Sequence, residues 1–326
     1  MLHSDIPALI LAPMDGVTDA PMRSLQGELG GLSYAVSEFL RVNHEAPPAK
    51  VFHRHIPELR NDGMTRSGLP VQVQILGGDA GRMAEAAWIA YEAGAKAIDV
   101  NFGCPAPTVN RHDGGATLLK HPSRIREIIA AIRDALPKEI PVSAKLRLGW
   151  DSIDSIHENA EMAAEGGASW LTIHGRTRAQ GYAPPAHWEP IGLVNRKLKL
   201  PIVANGDIWT IEDFRRCREV TGCRHFMIGR GALANPGLSN QIACELGISS
   251  SCNAPVFLQN DWLGRLNRLV EITLSHGETN PGQALRRMKQ WLNLARLHGD
   301  FTDFEYVKRA QTTEELLSHF KTPALV

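Results

Sequence analysis

Cys104 sits in the run Asn101-Phe102-Gly103-Cys104-Pro105, directly after the short β-branched stretch Ile98-Asp99-Val100. Gly103 permits a tight or left-handed backbone, and Pro105 fixes φ while removing a donor. The thiol is therefore held on a constrained turn at the carboxyl end of a strand. In α/β proteins that edge is where chemistry is usually placed. The residues alone leave two readings. Cys104 is a reactive thiol, which needs exposure and a suitable field, or it is a small buried hydrophobe.

Other chemistry-bearing residues fall at the ends of similar runs. Ala12-Pro13-Met14-Asp15-Gly16 ends the first, and His174-Gly175-Arg176-Thr177 ends a later one. Asn205-Gly206-Asp207 and Gly229-Arg230-Gly231-Ala232 end the last two. Glycines let backbone N–H groups approach phosphate oxygens, and Arg230 offers a charged fork. Each glycine taken singly is explained by a turn; the pair together with Arg230 reads as a phosphate site. Gln74 and His174 either hydrogen-bond a ligand or are satisfied core groups. Lys145 lies within the apolar run Val142 to Leu146, where a charge is costly without a partner. That partner is either an acid such as Glu38 or Asp99, or the negative charge of a reduced flavin.

Eight β-rich runs position these residues: 8–12, 35–39, 71–75, 98–101, 142–146, 170–174, 201–205 and 225–229. Helical patterns follow most of them. Asp79 caps one whose Met83, Ala86, Ala90 and Ala93 form a stripe ended by Gly94. Pro122 starts another, with Ile125, Ile128, Ile129 and Ile132 as its core face. A third follows Asp154 and stops at Gly166-Gly167. Eight strands alternating with helices predict an α/β protein, a (β/α)8 TIM barrel of about 240 residues. The open doubly wound alternative lacks its Gly-x-Gly-x-x-Gly turn after the first strand.

After Gly237 strand signals stop. Ser249-Ser250-Ser251 and Pro255 mark a linker, and helices are expected from Leu258 to Ser275, Gly282 to Leu297 and Asp303 to His319. The expected division is a barrel domain over 1–240 and a small helical bundle over 241–326. In the second helix Leu285, Met288, Leu292 and Ala295 share one face. Arg286, Lys289, Asn293 and Arg296 share a neighbouring one, with Arg287 beside them. Such a stripe is a solvated face or an RNA-binding patch.

Composition sets the outer limits. The chain has 326 residues, 43% hydrophobic and 21% charged, which is a folded composition. Its 35 basic and 35 acidic residues cancel, so any nucleic-acid surface has to be a local patch. Five cysteines without a Cys-x-x-Cys pair imply a reduced, cytoplasmic protein with no disulfide framework and no structural metal. The apolar run Ala8 to Met14 is too short to span a membrane. A monomer is expected.

The Asn-x-Gly-Cys-Pro core, followed by Asn110 and the Gly114-Gly115-Ala116 turn, resembles the signature of the tRNA-dihydrouridine synthases. The resemblance covers nearly the whole chain. It implies FMN binding by Pro13, Met14, Asp15, Gln74, Lys145, His174, Asn205, Gly206, Asp207, Gly229 and Arg230, and it puts Cys104 on the family's catalytic cysteine. The stretches 37–42, 51–54, 145–150 and 287–292 are most similar to the bacterial C subfamily, which acts on uridine 16 of tRNA. The chain departs from many relatives in carrying Pro107-Thr108 where they have a Lys, so that Arg111 or His112 would take over a phosphate contact. It also carries Asp15 where many have Glu, a contact expected to be made by backbone.

The activity so implied is reduction of a tRNA uridine to 5,6-dihydrouridine, with NADPH as hydride donor through FMN. Cys104 would protonate C5 of the uracil, a role that suits a thiol with an ordinary pKa of about 8.5. Lys145 would stabilise negative charge on the N1/O2 edge of the flavin. The base would be turned out into the barrel mouth. Asn101, Tyr182 and Arg41 are then candidates to contact the base or its phosphates. Arg286, Arg287 and Lys289 would hold the tRNA body through backbone and shape. Two rival readings stand beside this one. An FMN barrel acting on a free pyrimidine, like a dihydroorotate dehydrogenase, is disfavoured by the basic helical tail. A non-catalytic RNA-binding module would purify colourless.

Overall fold

The computed structural model describes residues 1–110, 113–248, 261–277 and 281–320. The expected linker at 249–255, the start of the helix from Leu258, and Arg111 and His112 lie outside the described residues.

Every expected strand run forms a strand. They are β1 (Ala8–Leu11), β2 (Tyr34–Val36), β3 (Leu40–Arg41), β4 (Val71–Leu76), β5 (Ile98–Asn101), β6 (Val142–Arg147), β7 (Trp170–His174), β8 (Ile202–Asn205) and β9 (His225–Ile228). All neighbours pair in parallel, and β1 to β9 on one side and β2 to β4 on the other close the sheet into a barrel. β2 and β3 form one stave of eight, because both run along β4. The single strand expected over 35–39 is thus corrected to two pieces. The Ser37 amide still donates to Gln72 O at 2.9 Å, but the Gln74 amide turns to the Ser37 hydroxyl at 3.0 Å instead of to a carbonyl. The ladder skips there and resumes at Leu40.

Period-two alternation sorts the strand residues. Leu9, Val73, Val100, Ala144, Ile173 and Phe226 face outward onto the helices and join one large core. Ile10, Tyr34, Val36, Trp170, Val203 and Met227 pack inside the barrel as a second core. Tyr34 and Trp170 meet there edge to face, with centroids 6.4 Å apart. Gln72, Gln74, Asp99, Asn101, Ser143 and Lys145 belong to the same inward register. β4, β5 and β6 therefore fill their side of the barrel with polar groups.

The surrounding helices follow their sequence signals. Asp79 accepts from the Arg82 amide at the start of Ala80–Glu92. Pro122–Ala135 buries all four of its isoleucines. Ile156–Glu165 ends at Gly166. The residue boundary expected at 240 falls inside the helix Leu238–Leu246. This helix packs on the barrel, and its Asn240 side chain donates to Leu29 O at 2.8 Å.

The later helices lie against the barrel. Trp262–Ser275 begins at Asp261, whose carboxylate accepts from Leu263 and Gly264 amides. Pro281–His298 buries Met288, Leu292 and Ala295 as expected, and Trp291 with them. The long helix expected over 303–319 is corrected to two short ones, Phe304–Val307 and Thr313–Ser318. Thr312 caps the second through its hydroxyl, so the chain breaks before it. The break frees the Ala310 carbonyl, which takes the Lys289 ammonium.

Trp291 is 1% exposed and its indole N–H donates to Leu233 O at 2.8 Å. Its ring also meets Trp262 edge to face. Replacing it by Ala should cost about 3–5 kcal/mol, as large aromatic truncations do. The loss would be read as a lower Tm and as faster amide exchange in 281–298; unchanged exchange there would contradict this packing.

Candidate active site

The carboxyl ends of the strands open into a cavity of about 560 Å³. Its wall comes from residues distant in sequence: Met14 after β1, Cys104 after β5, Lys145 and Arg147 on β6, His174 at the end of β7, and the segments 205–209 and 227–231. Leu294 of the helix Pro281–His298 completes it.

The turn bearing Cys104 is held at three atoms. The Gly103 amide donates to Asn101 Oδ1 at 2.9 Å, and Arg147 Nε donates to Gly103 O at 2.7 Å. The Ala116 amide donates to Cys104 O at 3.1 Å. Gly103 is needed for close packing, since a Cβ there would lie 3.3 Å from Arg147 Cγ. Gly115 has φ +60°, and a Cβ on it would lie 3.0 Å from Cys104 O. This is the physical content of the glycines on either side of the cysteine.

Behind the turn runs a buried polar relay. Gln74 Nε2 donates to Asp99 Oδ2 at 2.6 Å, and Asn101 Nδ2 donates to Gln74 Oε1 at 2.9 Å. Ser143 Oγ donates to Asp99 Oδ1, and Gln72 Nε2 donates to Ser143 Oγ at 2.9 Å. A carboxylate only accepts, so Asp99 turns the Gln74 amide nitrogen toward itself. The Gln74 oxygen then faces Asn101, whose own oxygen is left for Gly103. Burial pushes the Asp99 pKa up, and the bonds from Ser143 and Gln74 oppose this.

The cavity is cationic. Lys145, Arg147 and Arg230 line it, and Arg176 lies just behind, paired with Asp207. Among the described residues no hydrogen bond or ion pair reaches the Lys145 ammonium. Burial, with Arg147 nearby, pulls its pKa down to about 8, although Asp99 acts against this. His174 is held well below its ordinary value by burial and by the positive charge of Lys145, Arg147, Arg176 and Arg230. Arg176 Nη1 lies 3.2 Å from His174 Nε2. Arginine only donates, so Nε2 accepts and the proton of the neutral ring is on Nδ1.

Arg176 is 1% exposed and pairs with Asp207. Its Nε donates to Ala183 O at 2.7 Å, and the Ala186 amide donates to Asp207 at 2.8 Å. The loop after β7 is thereby clamped to the end of β8. Arg147 adds bonds to Thr177 O and Gly181 O. Tyr182 rides on this loop at the cavity rim, 58% exposed, with the Arg147 and Arg230 guanidiniums 5.4 and 5.2 Å from the centre of its ring.

Most of the residues expected at a ligand meet at this cavity: Pro13, Met14, Asp15, Asn101, Cys104, Lys145, His174, Tyr182, Asn205, Gly206, Asp207, Gly229 and Arg230 all line it. Gln74 does not. It is fully buried one layer below, with both ends of its amide used by Asp99 and Asn101. The Asp207 carboxylate is likewise turned to protein partners, and Asn205 Nδ2 donates to Met227 O. Arg41 stands apart from the cavity wall, close enough for its charge to act on Cys104. On the C-terminal helix, Arg286 is exposed, Arg287 is ion-paired to Asp19, and Lys289 is bound to Ala310 O.

Sequence reasoning assigned no role to Arg147 or Arg176. The signal was present: each stands two residues after an assigned inward group, Lys145 and His174, so strand alternation aims it the same way. Trp209 and Leu294 carried no such signal, since they reach the cavity only through tertiary packing.

Burial raises the Cys104 pKa above that of an ordinary thiol, with the Ala106 backbone opposing it. The thiol therefore keeps its proton through neutral pH. Alkylation of Cys104 by iodoacetamide, followed by peptide mass spectrometry, should show a pH midpoint above about 8.5. A midpoint at or below that value would contradict the burial argument.

Among the described residues no group of His, Cys, Asp and Glu side chains is arranged to hold a metal ion, and no helix is long and apolar enough to cross a membrane. Comparison with known proteins gives a consistent picture. The family described as dihydrouridine synthase matches residues 10–321. A tRNA-dihydrouridine(16) synthase of Pseudomonas syringae pv. tomato is 43% identical over 291 residues, covering 88% of this chain and 89% of that protein. Its namesake from Pseudomonas putida is 44% identical over 285 residues, 87% of this chain and 86% of that one. A protein of the same name from Neisseria meningitidis serogroup B is 40% identical over 318 residues, 96% and 94% of the two chains. With the barrel, the cysteine turn and a match over nearly its full length, this chain belongs to the dihydrouridine synthase family of enzymes.

Proposed function

We propose that this enzyme reduces uridine 16 of tRNA to 5,6-dihydrouridine, holding FMN in the barrel cavity and drawing on NADPH. The observation that carries the reading is the meeting of Cys104 and Lys145 at one cavity, from adjacent strands with Asn101 and Lys145 in register. The position and the tRNA come from the names of the relatives.

The residues fit the cofactor. A cavity of about 560 Å³ is within the usual range for such sites, about 300–1,000 Å³. Lys145, Arg147 and Arg230 outnumber the carboxylates of Asp15 and Asp207 on its wall, and among the described residues no hydrogen bond or ion pair reaches the Lys145 ammonium. Arg230 and the backbone at Gly206 and Gly229 would hold the phosphate, and Lys145 the electron-rich edge of the ring. FMN, when bound, supplies the hydride that goes to C6 of the uracil. Cys104 gives its proton to C5, so that hydride and proton together saturate the C5–C6 bond. The raised pKa of the thiol keeps that proton in place until it is needed. Asn101, fixed by Gln74, keeps the cysteine turn in register. Tyr182, exposed and flanked by two guanidiniums, offers the extruded base or its neighbour a stacking face.

Replacing Cys104 by Ala should leave reduction of the bound flavin by NADPH unchanged and lower its reoxidation by tRNA about 10²–10⁴-fold. A loss under tenfold in stopped-flow traces would remove the acid role from Cys104. Using free uracil as oxidant separates the free-pyrimidine reading, which requires turnover without RNA. Sequencing of tRNA from a deletion strain should show dihydrouridine lost at position 16 and kept elsewhere in the D-loop.

The pKa of about 8 at Lys145 adds a test without turnover. At a pH of about 9 the ammonium of the empty protein is largely deprotonated, and the hydrogen-bond-accepting edge of the ring beside it favours the protonated form. FMN binding should then take up a proton, seen by calorimetry in buffers of different ionisation enthalpy. Lys145→Met should abolish the uptake.

On the RNA side, Arg286→Ala should weaken tRNA binding and lower the salt slope by about one, with FMN affinity unchanged. Arg287→Ala should in addition lower stability, because it removes the ion pair to Asp19.

A further inference from the structure

We propose that His298, in the last turn of the helix Pro281–His298, is a positioning residue for Arg230: by stacking on Trp209 it holds the ring against which the Arg230 guanidinium is set at the cavity. The inference rests on the reading of Arg230 as the cation that meets the FMN phosphate.

Four side chains form a column across the mouth. Tyr182, Arg230 and Trp209 all line the cavity. The Arg230 guanidinium lies 5.2 Å from the centre of the Tyr182 ring and 4.8 Å from that of Trp209. The Trp209 ring in turn stacks on His298, with centroids 4.1 Å apart and planes inclined by 18°. Both rings are within reach for an attraction to the guanidinium. Among the described residues the ion pair given to Arg230 is Asp207, 3.8 Å away and already bound to Arg176, whose own charge repels Arg230. The rings are therefore the main restraint on where the guanidinium sits. Trp209 is only half-buried, so its own position depends on a neighbour.

That neighbour is set firmly. The Trp291 indole bonds to Leu233 O, inside the short helix Arg230–Ala234. Gly299, next to His298, passes so close that a Cβ on it would lie 2.3 Å from Ala234 O. The helix bearing His298 and the segment bearing Arg230 are thus one packed unit, and His298 stacks on Trp209 without itself lining the cavity. Leu294, one turn earlier on the same helix, lines the cavity itself. A stacked imidazole at this place is a feature no strand-end pattern contains.

The test is binding of FMN to the apoprotein, followed by quenching of flavin fluorescence. His298→Leu should weaken FMN about five- to tenfold, the size expected when one stacking contact behind a cation–π pair is lost. His298→Phe, which keeps a ring, should bind within about twofold of wild type on the same grounds. In an Arg230→Met background, His298→Leu should add nothing, because the group it positions is gone. Wild-type affinity in His298→Leu, a loss in His298→Phe as large as in Leu, or additive losses with Arg230→Met would each overturn the proposal. A wild-type apoprotein that takes up no FMN would instead overturn the flavin reading on which the inference stands.

Discussion

The buried carboxylate of Asp99 is the point on which the active end of the barrel depends. A charge inside a barrel is costly unless its oxygens are fully bonded, and here Ser143 and Gln74 donate to both. The bonding also has a direction. One end of the relay is a group that only accepts, and the other is the Gly103 amide, which only donates. Two carboxamides between such ends have a single satisfied arrangement. The turn before Cys104 is therefore anchored to the barrel interior and not merely packed upon it.

The polar half of the interior has an apolar complement. Ile10, Tyr34, Trp170, Val203 and Met227 fill the barrel where β1, β2, β7, β8 and β9 face inward. The barrel is a packed core below and a cavity above. The cavity opens at the end where the strands finish, which is also where the cations stand. Arg147 and Arg176 spend their donors on carbonyls and on Asp207, so they brace loops while contributing charge. Lys145 has no such employment, and His174 stays neutral beside them. A wall with this surplus of positive charge is stabilised by an anion and strained without one.

The helices after the barrel are part of the same site. Arg287 reaches Asp19, which also caps the helix Ala20–Leu29. Trp291 bonds to the backbone beside Arg230, and Leu294 touches the cavity. The helix proposed to hold RNA is in this way joined to the loops that hold the reactive groups, through contacts a few ångströms long.

The sequence by itself determined the barrel, the eight strand runs, and most of the residues at the mouth. The reason is local: period-two alternation, β-branched runs and glycine–proline punctuation act over a few residues, and parallel strands finish at one end wherever they lie in the chain. The cysteine turn was legible for the same reason. The partner of each polar group was not. Lys145 and Asp99 are near neighbours whose bonding differs completely, and Gln74 gives its amide nitrogen to the acceptor-only oxygen of Asp99 and its oxygen to Asn101. The basic stripe at 286–296 read as one surface. In the fold Arg287 and Lys289 are drawn to Asp19 and Ala310, while Arg286 stays exposed. Spacing along a chain decides which face a side chain takes. Only the tertiary structure decides what waits on that face, because a charge or an amide takes the strongest partner within about 3 Å, and such partners here come from more than 200 residues away.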